Sequence, residues 1–197
     1  MRIFITTIIA AAILVIGVAS PGRVQAAGSH AAGTATCAIH YIIGSQTCYA
    51  PAQELQAEQR APIAVRPSAA VARLLRLSLA QVISYQPPPG SGSRIPASIS
   101  YLYGVLRSDY GRARANPRSM IITEYNQSYT KFVPKYTRMV GGARFEISQA
   151  AMDHPYRSYG PWYLIGNFAH RHASFTITAN IPQGSLIQLA TVLRQQG

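Results

Sequence analysis

Negative charge is scarce in this 197-residue chain, which has six carboxylate side chains (Glu54, Glu58, Asp109, Glu124, Glu146 and Asp153) against 18 Lys and Arg. No two of them are spaced as the acid and base of a glycosidase, and none follows a histidine in a zinc-protease pattern. No phosphate-cradling glycine loop is present. A nucleophilic serine needs a base, an orienting acid and a tight turn, yet no Gly-x-Ser-x-Gly elbow occurs. These absences argue against an enzyme, and no cofactor is implied. Lysine is almost missing too: Lys131 and Lys135 are the two present, so the basic charge is mostly arginine. Cysteine is limited to Cys37 and Cys48, with ten residues between them. That spacing is not a redox Cys-x-x-Cys, and an isolated pair is the pattern of a structural disulfide formed in an oxidising compartment. The intervening AIHYIIGSQT has a β-prone run and then a Gly-Ser turn signal, which predicts a short hairpin closed at its base.

The compartment is indicated independently. Arg2 precedes an uncharged run of 17 residues from position 3 to 19, followed by the break Ser20-Pro21-Gly22 and the small-residue ending Val24-Gln25-Ala26-Ala27. This is the order of a secretory signal peptide over residues 1–26, cut after Ala26 or Ala27. An uncleaved anchor competes, although the run sits at the short end of what crosses a bilayer. No cysteine lies where a lipid would be attached. Cleavage leaves 171 residues with 16 basic and 6 acidic side chains, a net of +10. Such an excess attracts polyanions. Outside the cytoplasm these are envelope polymers, membrane head groups or an acidic partner protein, and nucleic acid is not expected. Peripheral membrane contact fits the same charge.

Residues 27–67 hold the stapled segment and a linker-like stretch punctuated by Pro51, Pro62 and Pro67, with a short helix through Glu54 and Glu58 as the competing reading there. The remainder, residues 68–197, reads as an α+β domain. Ser68 opens a helix whose apolar positions Val71, Leu74, Leu75, Leu79, Val82 and Ile83 share one face of a 3.6 period, ended by Pro87-Pro88-Pro89. Strands are predicted over 98–106, 119–125, 138–149 (two, around Gly141-Gly142), 162–168 and 173–179. Turns are expected at Gly166-Asn167 and His170-Arg171. Phe175 and Ile177 alternate with Thr176 and Thr178, the pattern of a sheet wet on one face. Residues 186–194 close the chain as a helix with Leu186, Leu189, Ala190 and Leu193 on one stripe. The expected fold is an antiparallel sheet, curved or open, with a helix before it and a C-terminal helix packed on it.

The motifs YLYG at 101–104 and the runs at 120–124, 140–145, 162–164, 174–178 and 185–193 carry a resemblance. So does the closing pattern Pro182-x-Gly184-Ser185-Leu186-Ile187-x-Leu189-Ala190-x-x-Leu193. Over residues 98–197 the chain resembles a bacterial extracytoplasmic domain of unknown function. That domain forms the outward-facing part of some anti-sigma factors and is similar to lipoprotein-carrier-like half barrels. The resemblance implies a non-catalytic sensing, binding or envelope-associated role. The chain departs from it in having no cytoplasmic segment before the apolar run and in its stapled N-terminal segment.

Candidate binding residues fall in two groups. Arg107, Arg112, Arg114 and Arg118 cluster in a Gly/Asn/Pro-containing loop, a binding patch or a solvated turn. Tyr125, Tyr129, Lys131, Lys135 and Arg138 interleave aromatic and basic side chains, suited to stacking and to capture of acidic groups. His170-x-His172 would share a face if on a strand and, with His154 or His40, could hold a divalent metal, but no carboxylate is placed to complete the set. The competing enzyme reading is an exported hydrolase with a dispersed site around His154 or His170, near Asp153 or Glu146. N-terminal sequencing of exported protein should give Ala27 or Gly28 as the first residue. Recovery of Met1 with both thiols free would overturn the export reading.

Overall fold

Eight strands hydrogen-bond into one antiparallel sheet: β1 (Ser45–Tyr49), β2 (Leu79–Gln86), β3 (Ser98–Tyr103), β4 (Met120–Tyr125), β5 (Thr137–Val140), β6 (Ala143–Gln149), β7 (Trp162–Asn167) and β8 (Ser174–Ala179). Their spatial order is β1-β2-β3-β4-β8-β7-β6-β5. Three helices accompany them: α1 (Glu54–Arg60), α2 (Ser68–Leu75) and α3 (Gln183–Gln196). The computed structural model describes residues 37–38, 44–61, 65–90, 96–104, 119–149 and 162–197. All of them belong to the compact unit Thr34–Gly197. The α+β class with an antiparallel sheet is as the sequence predicts.

The register assigns every strand residue to one of two faces. On the first lie Tyr49, Val82, Ile99, Tyr101, Tyr103, Met120, Ile122, Leu164, Phe145, Ile147, Phe175 and Ile177, all buried. They form the main core with Ala57, Val71 and the α3 stripe Leu186, Leu189, Ala190 and Leu193. That stripe is the one the 3.6 period marks. Burying each leucine fully stabilises by about 1.5–3 kcal/mol. Residues 51–61, linker-like in sequence, fold as a 3-10 turn and α1, and bury Ala57 and Ala61 in this core. β1 is the edge strand of the same sheet.

The second face carries Gln81, Ile83, Ser100, Leu102, Ile121, Thr123, Tyr163, Ile165, Thr176 and Thr178. Cys48, Ile83, Leu102 and Ile121 make a small apolar cluster there, against which Cys37 and Ala38 pack. Cys37 and Cys48 are disulfide-bonded, with Cα atoms 5.5 Å apart. The hairpin expected inside that loop falls partly on residues 39–43, outside the described residues. The strand that Cys48 occupies pairs with β2.

Three local expectations are corrected. The helix from Ser68 stops at Leu75, because Arg76 takes a left-handed conformation (φ 54°) while its N–H still reaches Ala72 O. Leu79, Val82 and Ile83 then belong to β2. Their helical spacing is also readable as alternation about a bulge at Ala80, and pairing with both β1 and β3 decides between the two. Gly166 is not a turn but lies inside β7, where the absence of a Cβ admits the rings of Phe145 and Phe175, each 2.8 Å from where that atom would sit. Thr176 and Thr178 are not wet; they are 7% and 1% exposed, and Tyr163 beside them on the same face hydrogen-bonds with Thr176. The turn expected at His170-Arg171 is present, and it places His170 and His172 in the bend between β7 and β8.

Gly166→Ala is expected to lower stability by about 1–3 kcal/mol in urea unfolding, since two packed rings must shift. An unchanged midpoint would show that the rings have room.

Candidate functional site

The connection from β4 to β5 builds the site. β4 is mid-sheet and β5 is at the edge, so residues 126–136 have to pass β8, β7 and β6. Four side chains pin this strap to the second face. Asn167 at the end of β7 makes a reciprocal pair with Tyr129: Oδ1 accepts from its N–H at 2.7 Å and Nδ2 donates to its carbonyl at 2.9 Å. Ser174 Oγ donates to Gln127 O at 2.7 Å, and Ser128 Oγ lies 3.1 Å from His172 Nδ1. Glu146 on β6 accepts from Val133 N–H at 2.9 Å and lies 3.4 Å from Tyr129 OH, which donates to Lys131 O at 2.9 Å. Burial and the nearby Glu146 raise the Tyr129 phenol above its ordinary value. Tyr163 is raised for the same first reason, with Tyr125, Tyr129 and Glu146 close by. The strap ends in a 3-10 turn at Pro134–Tyr136, where Thr137 Oγ1 donates to Val133 O at 2.8 Å.

What the strap turns outward is basic and aromatic. Lys131, Lys135, Arg138 and Arg144 are exposed. The Lys135 ammonium lies 5.5 Å from the Tyr136 ring centre, and the Arg144 guanidinium 5.6 Å from that of Phe132. Phe132 and Tyr129 meet edge to face at 5.0 Å. The structure thus brings together Tyr129, Lys131 and Lys135 of the predicted set; Arg138 is exposed on the edge strand, but its register opposite Phe145 turns it to the core face, away from Arg144 and Met139. Tyr125 is half-buried on the second face, nearer Tyr163. Arg144 was missed: it joins from the facing strand, opposite Met139 across the Gly141-Gly142 turn. Alternation in 137–140 and 143–149 around a Gly-Gly turn held that signal. Arg107, Arg112, Arg114, Arg118, Asp153, His154 and His40 lie outside the described residues. His170 and His172 are exposed, and among the described residues no three His, Cys, Asp or Glu groups gather as a metal set.

A second polar cluster, invisible in the sequence reading, lies on the core face beneath α1 and α2. Glu124 is 1% exposed; one carboxyl oxygen accepts from Val65 N–H at 2.9 Å and the other has no partner. Glu58 pairs with Arg66 at 2.6 Å and also keeps one oxygen unpartnered. Tyr103 OH lies 3.0 Å from Ser68 Oγ, which donates to Glu54. The Tyr101 and Tyr49 hydroxyls are buried without partners. Burial, then the neighbouring carboxylates, push the Tyr101 phenol far up. Burial raises the Glu124 carboxyl well above its ordinary 4.5, and Glu58 adds to this; the Val65 N–H and the Arg171 charge oppose it. Glu124 could have been found: Met120, Ile122 and Glu124 alternate on one face, so the carboxylate had to enter the core.

No family model, curated protein or solved structure matches the chain.

An acid whose value is raised on folding holds its proton longer in the native state, so stability falls as pH rises from 4.5 toward the folded value. Glu124→Gln keeps an acceptor for Val65 and cannot ionise. Its stability should vary less between pH 4.5 and 7 than the parent's, by up to about 1.4 kcal/mol per pH unit. Parallel pH curves for the two proteins would show that Glu124 does not hold the proton.

Proposed function

We propose that this chain is an exported or envelope-associated, non-catalytic binding module that recognises anionic partners through the ledge formed by Lys131, Lys135 and Arg144. One observation carries the reading: none of the described Asp or Glu side chains is exposed, while nearly all the bases are. Glu54 is bound to Ser68, Glu58 to Arg66, Glu124 to Val65 N–H and Glu146 to Val133 N–H. Nine of the ten described Lys and Arg residues are exposed, the tenth being Arg194. The ledge therefore carries no exposed carboxylate, its nearest acid, Glu146, being engaged from beneath, and its field is available to a ligand.

The disulfide fits an oxidising compartment, and among the described residues no helix is long and apolar enough to cross a membrane. The leader read from residues 1–26 supplies the route out. The resemblance of residues 98–197 to extracytoplasmic sensing domains agrees with a role without catalysis. For the hydrolase alternative, Glu146 is committed to the strap, and nothing in the described geometry favours that reading.

Binding to an immobilised polyphosphate should weaken steeply between about 0.05 and 0.5 M salt, as screening shortens from more than 10 Å to a few. Lys131→Ala with Lys135→Ala should weaken it roughly tenfold or more at low salt. Retention that is indifferent to salt, or to these substitutions, would sink the reading.

A further inference from the structure

We infer that the anionic partner of the ledge is a lipid bilayer surface, with Val133, Tyr136 and Met139 entering the head-group layer while Lys131, Lys135 and Arg144 pair with phosphate. This rests on the binding role proposed above and names its target. Four large hydrophobic side chains stand exposed among the described residues: Leu55, Val133, Tyr136 and Met139, at 53%, 42%, 38% and 63%. Three of the four fall within seven residues of each other, on the strap end and the edge strand.

Position suits the task. β5 is the outermost strand, and the Gly141-Gly142 turn beside it is open, with nothing within 4 Å of either glycine's missing Cβ. Both glycines have positive φ, 54° and 75°, as a tight two-residue hairpin requires. The strap is held from behind by Asn167 and Glu146, so its outward side chains are presented by a fixed backbone. The chemistry discriminates between polyanions. A hydrated polymer offers phosphate or carboxylate to the cations but nothing to Met139 or Val133. A bilayer offers both, and tyrosine favours that same interfacial depth. Charge complementarity comes from the three cations, each strengthening attachment to an anionic leaflet about fivefold.

The test is co-sedimentation of the exported chain with vesicles of phosphatidylglycerol and phosphatidylcholine, with pure phosphatidylcholine vesicles and soluble polyphosphate as parallel ligands. Val133→Ser with Met139→Ser leaves every charge in place, and Leu55→Ser removes an exposed apolar side chain elsewhere. Thermal melts confirm that each variant folds. Expected are retention on anionic vesicles, a roughly tenfold or greater loss in the Val133/Met139 variant, an unchanged Leu55 variant and unaltered polyphosphate binding. If the Val133/Met139 variant binds vesicles like the parent while Lys131→Ala with Lys135→Ala weakens both ligands, the bilayer assignment fails and anion binding survives. If the lysine substitutions weaken neither, both readings fall. Equal retention on neutral vesicles would also overturn the assignment, since the ledge charge then plays no part.

Discussion

A backbone segment that crosses the face of a sheet must find partners for its N–H and C=O groups, and in this protein that requirement shapes the functional surface. β8 lies between β4 and β7, so the chain leaving β4 reaches the β5 edge only by passing over three strands. Asn167 and Glu146 meet the strap's polar groups from below, at the end of β7 and on β6. A buried amide or carboxylate used this way removes donors and acceptors that would otherwise cost about 1–3 kcal/mol each when left unmade. It also fixes which side of the strap faces the sheet. Lys131, Lys135 and Tyr136 point outward because the backbone N–H groups of Tyr129 and Val133 are tied inward. The ledge is a consequence of topology before it is a binding surface.

Where contacts are local the sequence is legible, and where distant pairing decides it is not. The α3 stripe, the Gly-Gly hairpin and the strands around Ile121, Phe145 and Phe175 follow from periods of 3.6 and 2 within single elements. Lys131 and Lys135 are neighbours on the strap, so their grouping survives folding, whereas strand register turns Arg138 to the other face. Leu79, Val82 and Ile83 satisfy both periods, and the choice falls to β1 and β3, which a local reading does not weigh. Gly166 has the composition of a turn, yet it is required by Phe145 and Phe175, which come from two other strands. The coverage of Thr176 and Thr178 depends likewise on Tyr163 from the neighbouring strand. Arg144 joins the ledge only through the register that sets it opposite Met139.

The buried Glu124 cluster shows the opposite balance from the strap. Glu146 has its oxygen engaged by a backbone donor and a phenol within reach. Glu124 has one donor for two oxygens, with the Tyr101 hydroxyl buried and also unpartnered. A carboxyl so placed is far cheaper to keep neutral than to ionise. As a neutral acid it has a proton to donate, which a carboxylate lacks. The cluster links α1, the start of α2 and β3–β4 through Glu58, Ser68, Val65 and Tyr103, all on the core side of the sheet. It is thus a feature of how the helices seat, on the opposite face from the strap.

Those two uses of glutamate explain why the surface charge exceeds what a count of residues conveys. Formal charge treats a carboxylate as cancelling a base wherever either sits, but a field outside the protein depends on position. Glu146 and Glu124 are drawn under the strap and into the core, Glu58 is matched by Arg66, and Glu54 is turned to Ser68. With nine exposed bases and these acids withdrawn, a ligand approaching the β5 edge meets cations with no exposed carboxylate among the described residues. The scarcity of acid that opens the sequence is therefore sharpened by folding: the backbone of the strap and of the segment before α2 consumes the carboxylates that could have softened the field. A chain with the same composition but with Glu146 on the outer side of β5 would hold the same net charge and lose part of its attraction for anions at this edge.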